Sequence, residues 1–427
     1  MPDRKKPPKT ELITSIPFIN PTGARLPNGL PIYFMEGGTE DFLKVEMVFF
    51  AGSYQQFQPL VAYATANLIR SGSRHKNREE IHELLDFYSA HLQLDAQKDI
   101  TSVSMFVLNK HLEPALDLMA ELIRDPLFPE EELLAFLKNQ KQLHLINQKK
   151  VQHLARTCFN ELVYGESHPY GYKLKVEDFD QVNRDQLLAF HHHWYRPENA
   201  FCIVSGKLPD HITQAMAHRF GDDSWLGQDK PVSPFYKMLS TGSRKVHLEV
   251  PGAVQSAVRI GKQLVNRTHP SFHKLKITNA LFGGYFGSRL MQNIRQDKGF
   301  TYGIGSNLVS LLKSGYFFIS TQVGTVVTHE AIKEIYKELV ALRTVPASDD
   351  ELETLKNYLS GSFLRSFDGP FAQSERLKEL LVFGLDQRHY DDYLTTLKTI
   401  KAEEIMLTAA DYLHEDSMME VVAGGQG

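Results

Sequence analysis

The chain has 427 residues, 42% of them hydrophobic and 23% charged, the balance of an ordinary globular protein and too long for one small core. Lys plus Arg is 47 against 51 for Asp plus Glu, a net charge of −4, so there is no bulk electrostatic reason to bind nucleic acid or an anionic membrane. Two cysteines, Cys158 and Cys202, are too few for a disulfide framework and read as separate thiols. The first residues, MPDRKKPPKT, carry positive charge with no apolar stretch behind them, which is not the pattern of a secretory signal. No run of about 18 apolar residues is present. A cytoplasmic address is expected.

In chain order, alternating and β-branched runs predict strands, and 3.6-residue periods predict helices. A strand at 42–50 (FLKVEMVFF) is followed by helices at 59–70 and 77–89. A strand at 101–108 leads into helices at 112–124 and 130–148, and a helix at 184–194 leads into a strand at 200–205. Strands at 245–250 and 257–263 come next, then helices at 272–280 and 288–297. A strand at 315–323 and helices at 328–343, 348–366 and 371–383 complete the reading. The strand–helix–helix order at 101–148 recurs at 315–366. The last helix of each set opens on a Pro followed by acids, Pro129-Glu130-Glu131-Glu132 and Pro346-Ala347-Ser348-Asp349-Asp350-Glu351. This predicts a duplication. The expected class is α+β: two similar halves, each a mostly antiparallel sheet of about six strands with helices packed on one face. The stretch at 221–245, rich in Gly, Pro, Ser and Asp, reads as the divide, giving domains at 1–225 and 246–427 with a linker at 226–245.

The helix at 59–70 carries Tyr63, Ala66 and Asn67 at i, i+3 and i+4, so they share one face. The segment 52–73, GSYQQFQPLVAYATANLIRSGS, resembles the pitrilysin-like (M16, insulinase) zinc peptidases. That family has H-x-x-E-H on this helix, followed by a turn with Gly then Thr or Ser. In it, two imidazoles one helical turn apart bind zinc, and the glutamate handles the attacking water. The resemblance puts Tyr63 and Asn67 at the histidine positions and Ala66 at the glutamate. Tyr is a poor zinc ligand at neutral pH, Ala has no donor, and Asn is a weak neutral one. The family's third ligand, a glutamate on a later helix, falls near Gln142 to His144, and no Asp or Glu occurs from Leu133 through Asn160. All four positions are lost, whereas an alignment slip would leave a carboxylate or a histidine pair nearby.

Other histidines offer no obvious replacement. His269 and His273 stand i, i+4 at a helix start with no carboxylate between them or close behind. His191, His192 and His193 are contiguous, and a helix fans them by about 100° per residue, so no two neighbours converge on one ion. His144 and His153 are not expected to share a face closely.

Two further passages resemble the family's scaffold: His168-Pro169-Tyr170-Gly171, and HWYRPENAFCIVSG at 193–206. In the latter a helix stops before Pro197, Asn199 makes the turn, and an apolar strand ends at Gly206. In the second half, LFGGYFGSRLMQNIRQDKGFTYGI at 281–304 resembles the family's Gly-rich loop, Ser-Arg-Leu helix start and R-x6-Y element. Its Arg295 and Tyr302 flank Gly299. The resemblance implies that this pair reaches across to a zinc site and hydrogen-bonds the substrate backbone and the developing oxyanion, for which a guanidinium fork and a phenol are strong donors. On spacing alone, a surface ion pair of Arg295 with Asp297 or Glu249, and Tyr302 on an amphipathic strand, is the simpler reading. The surrounding motif favours the functional one. Gly283, Gly284 and Gly287 match no phosphate-loop pattern and are expected to let backbone approach a peptide or a partner.

The resemblance runs from Leu26 to about Ala423. It implies two halves facing each other around a chamber, with the zinc face lost and the Arg/Tyr pair kept. Some bacterial members are heterodimers in which one subunit supplies zinc and the other supplies Arg/Tyr. This chain resembles the second kind, a non-catalytic subunit without a cofactor of its own. It would complete the active site and peptide chamber of a zinc-bearing partner with an intact H-x-x-E-H. Unfolded or extended peptides would lie against a sheet edge. No nucleic-acid or membrane partner is expected, and a homodimer is open to the chain without its partner. The rival reading is a peptide-binding or structural subunit with no peptidase role.

Overall fold

In the computed structural model, residues 15, 17–227, 231–237 and 244–425 are described; of the expected linker, residues 228–230 and 238–243 lie outside them. The first half opens with β1 (Thr22–Arg25), β2 (Pro31–Glu36) and β3 (Phe42–Phe49), then α1 (Val61–Leu68) and α2 (Arg78–Phe87). The hairpin β4 (His91–Ala96) and β5 (Thr101–Leu108) follows. Next come α3 (Leu112–Arg124), α4 (Glu130–Asn147), α5 (Val151–Tyr164), α6 (Arg184–Trp194), β6 (Ala200–Gly206) and α7 (Ile212–Phe220). The second half runs β7 (Lys245–Glu249), β8 (Gln255–Leu264), α8 (Phe272–Asn279), β9 (Thr301–Leu311) and β10 (Ser314–Gly324). It closes with α9 (Thr328–Thr344), α10 (Asp349–Arg365), α11 (Gly369–Phe383), α12 (Arg388–Thr399), α13 (Ala402–Tyr412) and β11 (Met419–Gly424).

One sheet has the order β1-β2-β6-β3-β5-β4 and the other β7-β11-β8-β10-β9. With β1 set aside, both follow the same path. β2 and β6 are parallel neighbours, as are β7 and β11, and the remaining pairs are antiparallel. The duplicated strand–helix–helix order is therefore a duplicated topology.

β3 shows how both faces of a sheet come to be buried. Leu43, Val45, Met47 and Phe49 join the core formed with α1, α3 and α6. Val48, on the other face, packs with Met35, Phe201, Ile203 and Leu377 of α11. The second sheet is treated the same way: α5 lies on β8 and β11, and its Ala155, Phe159 and Val163 pack with Ala257, Val421 and Ala423. Each half thus packs its own helices on one face, as expected, and lends one helix to the back of the opposite sheet.

Charges are buried at both exchanged faces. Lys44 Nζ lies 2.8 Å from Glu46 and 2.7 Å from Glu375, and Lys378 Nζ lies 2.7 Å from Glu46 and 2.6 Å from Glu375. Two strand residues and two α11 residues thus form a ring of alternating sign. On β8, Arg259 has no ion pair with a described residue. Its guanidinium lies 3.9 Å from the Phe318 ring centre and 5.4 Å from that of Phe159, and burial pulls its pKa down to about 10.

Candidate functional site

Tyr63, Ala66 and Asn67 do share one stretch of α1. Ala66 is fully buried and Tyr63 is 39% exposed. Asn67 Nδ2 donates to the Tyr63 carbonyl at 2.8 Å, and the Tyr63 ring lies 5.7 Å from that of Phe136 on α4. The two helices meet, as a metal site bridging them would require, but through aromatic rings. Further along α4, Leu143 and Ile146 are 51% and 55% exposed. His144 is buried, 5.4 Å from the Phe179 ring and 2.7 Å from Gln148 Nε2. These residues do not fit zinc: α1 offers no imidazole or carboxylate, the Asn67 carboxamide oxygen is a weak neutral ligand, and α4 brings apolar side chains. Among the described residues no group of three or more His, Cys, Asp or Glu could hold a metal ion.

Of the contiguous histidines, His192 and His193 are exposed and His191 is buried. His191 Nε2 meets the Ile123 carbonyl at 2.8 Å, and its ring stacks on Tyr195 at 5.0 Å. Burial drives its pKa to about 3, so it is neutral. His269 accepts the Ser271 N–H through Nδ1 at 3.1 Å, while His273 faces His389 instead, ring centres 4.4 Å apart. His144 and His153 correct the sequence reading. α4 ends at Asn147 and the chain doubles back into α5, so the two rings meet edge-on at 6.2 Å.

The scaffold passages tie elements together. Asn199 Nδ2 donates to the carbonyls of Phe50 (3.1 Å) and Trp194 (2.9 Å), fixing the end of α6 against the end of β3. The Tyr170 hydroxyl donates to Asp99, which also accepts the Leu312 N–H at 2.9 Å and so links the two halves.

In the second half, α8 continues into a π-helical turn, Ala280–Gly284. A Cβ on Gly283 would stand 2.6 Å from Ser306 Oγ and 2.7 Å from Ser306 N. That glycine lets the turn press against β9 of its own sheet. A second π-helical stretch, Met291–Asp297, carries Arg295. Gly299, at φ +67°, then turns the chain into β9, where Tyr302 is 93% exposed. Asp297 accepts a hydrogen bond from Gln292 at 3.0 Å. Arg295 makes no ion pair or hydrogen bond with a described residue, so its expected alternatives, Asp297 and Glu249, are not its partners. Its guanidinium lies 4.9 Å from the centre of the Phe286 ring. β9 is the outer strand of its sheet. No hydrogen bond, ion pair or ring contact among the described residues joins the α1 face to Arg295 or Tyr302. Sequence reasoning missed Phe136 and Phe286. An exposed aromatic between glycines, Gly284-Tyr285-Phe286-Gly287, was the one signal for Phe286; nothing local pointed to Phe136.

Residues 38–168 match the insulinase (peptidase family M16) model, and residues 181–359 match that of the peptidase M16 inactive domain. Uncharacterized zinc protease YmxG of Bacillus subtilis is 24% identical over 374 residues, covering 85% of this chain and 88% of its own. Non-peptidase homolog YmxG of Helicobacter pylori is 22% identical over 306 residues, covering 70% and 68%. The crystal structure of a peptidase M16 inactive domain from Pseudomonas fluorescens has a TM-score of 0.88 at 23% identity, over 95% of this chain and 98% of that one. Relatives thus bear both kinds of name, and the side chains on α1 and α4 agree with the zinc-less kind. Two halves with one strand order, and two models of the same group that together match residues 38–168 and 181–359, place this chain in the M16 (insulinase) peptidase family.

Proposed function

We propose that this chain is the zinc-less subunit of a heterodimeric M16-type metallopeptidase, and that it supplies Arg295 and Tyr302 to an active site built by a zinc-bearing partner with an intact H-x-x-E-H. One observation carries the proposal: neither side chain is held by an ion pair or a hydrogen bond among the described residues. A guanidinium without an ionic partner among the described residues and a phenol 93% exposed flank a single turn at the edge of a sheet. Both groups suit a carbonyl oxygen that gains negative charge, and the outer edge of β9 suits an extended peptide. The degenerate α1 face gives the chain no means of acting alone, and the relative named a non-peptidase homologue supports that reading.

The test is peptide cleavage by matched complexes with the partner. Arg295→Ala and Tyr302→Phe should each slow turnover by at least about tenfold, in line with loss of one oxyanion donor. Co-purification and zinc content should be unchanged, since neither side chain is part of a core. The double variant should lose less than the product of the two, because both groups act on one substrate segment. Wild-type rates for both variants at saturating substrate would make this a structural or peptide-binding subunit.

A further inference from the structure

A cavity of about 470 Å³ opens between α8, α10, α11, α12 and β9, and neither Arg295 nor Tyr302 lines it. Its size is that of a small-molecule site. Its charge is lopsided. Arg267, Lys276 and Arg376 line it with a single carboxylate, Glu379. That carboxylate is taken: Glu379 Oε2 lies 2.9 Å from Arg267 Nη1 and 3.0 Å from Arg376 Nη1. Lys276 makes no ion pair with a described residue, and its ammonium lies 4.6 Å above the Tyr393 ring. By surface area Lys276 is exposed, yet protein surrounds it on nearly every side, as for a side chain projecting into a cavity. The Nε groups of Arg267 and Arg376 are buried without a partner.

The histidines add donors and no charge. His273 and His389 face each other at 4.4 Å, and burial lowers their pKa values to about 4 and about 3. Asp386, beside His389, is held by Arg388 at the surface. Three cations around one saturated carboxylate repel one another in a partly dry space, and the donors left over have nothing to bind. A divalent cation would add to that repulsion; an anion would relieve it.

We propose that this cavity binds a small organic anion, a carboxylate or a phosphate monoester. Arg267, Lys276 and Arg376 would hold its charge, with Phe363, Tyr390 and Tyr393 against its body. The site is independent of the Arg295/Tyr302 pair.

Calorimetric titration of the full chain at fixed ionic strength tests this, using phenyl phosphate and phenylacetate as anions and benzyl alcohol as their neutral counterpart. One of the two anions should bind saturably at one per chain, and which one separates the phosphate from the carboxylate source. Benzyl alcohol should bind at least about tenfold more weakly, and Lys276→Met should weaken the anion at least about tenfold, as loss of a charge-assisted contact does. Lys276→Arg should restore binding, and Arg388→Gln, outside the cavity, should leave it unchanged. Because Lys276 has no anionic partner, the unliganded Lys276→Met chain should melt at or above the wild type, and the rise in melting temperature on adding anion should shrink. The proposal fails if neither anion binds saturably, if benzyl alcohol binds as well as the anions, if zinc chloride binds in their place, or if Lys276→Met binds like the wild type. The anion-against-neutral comparison on the wild-type chain decides the matter even where the variant melts early.

Discussion

Asn67 turns its amide back onto the Tyr63 carbonyl, and Ala66 beside it has no exposed surface. Tyr63 leans on Phe136, so α1 stays docked on α4 without any ion between them. Writing the ligands back is therefore not enough. Tyr63→His, Ala66→Glu and Asn67→His made together should leave dialysed protein with well under one zinc per chain by elemental analysis, because α4 still offers Leu143 and a buried His144. The same triple variant should melt earlier, since a carboxylate at Ala66 would be buried without a partner. One zinc per chain would show that α4 can supply a third ligand after all. At this scale much was legible. The three empty motif positions are read directly from residue type, and the Arg295 to Tyr302 spacing from its motif. The meeting of His144 with His153 was not, because it depends on a helical hairpin whose turn, at 148–150, has no Gly or Pro to announce it.

At the scale of elements, α5 and α11 are the unusual pieces, each buried against the sheet of the other half. Phe159 on α5 is fully buried between Arg259 and Tyr316, and Leu377 on α11 is 5% exposed. Phe159→Ala should cost about 3–5 kcal/mol and Leu377→Ala about 2–5 kcal/mol in urea unfolding, as large-to-small changes in a packed core do. Values below about 1 kcal/mol would mean that the exchanged helices are loosely seated. The elements with strong periodic patterns were predicted nearly to the residue: β5 at 101–108, α3 at 112–124 and α6 at 184–194. β9 was anticipated only as a strand at Tyr302, without bounds, because Gly303 and Gly305 interrupt its apolar alternation; β4, HLQLDA, was missed because it is short and half polar. α5 was missed along with its exchange. An apolar helix face says that it will be covered and not by which half of the chain.

For the molecule as a whole, the ring of Lys44, Glu46, Lys378 and Glu375 joins the two halves electrically. Burial alone would push the Glu375 carboxyl up, but Lys44 and Lys378 more than offset this and hold it below its ordinary value. Burial alone would pull the Lys378 ammonium down, but Glu46 and Glu375 hold it above. A depressed carboxyl gives stability above its unfolded pKa, lost as pH falls through the folded value. A raised lysine gives stability below its unfolded pKa, lost as pH rises through the folded value. The ring should therefore stabilise from above about pH 4 to about pH 10. By calorimetry, Lys378→Met should lower the melting temperature most near neutral pH, and the difference should shrink as pH falls below the ordinary carboxyl value of about 4 towards the depressed one of folded Glu375. An equal drop at every pH would assign the loss to packing.

The loan of α5 also sets a timetable for synthesis. α5 is complete at Tyr164, but β11, one of the two strands it covers, comes only at Met419–Gly424, more than half the chain later. At a ribosomal rate of roughly 5–20 residues per second, Phe159 and its neighbours wait on the order of tens of seconds for the surface they belong to. During that interval α5 has only part of its seat, first Tyr54 and Tyr170 of its own half and then β8, and until Phe383 is made the back of the first sheet also awaits α11. The two halves cannot mature one after the other. They finish together, when the last strand leaves the ribosome, and until then they present chaperones with a paired, unfinished surface.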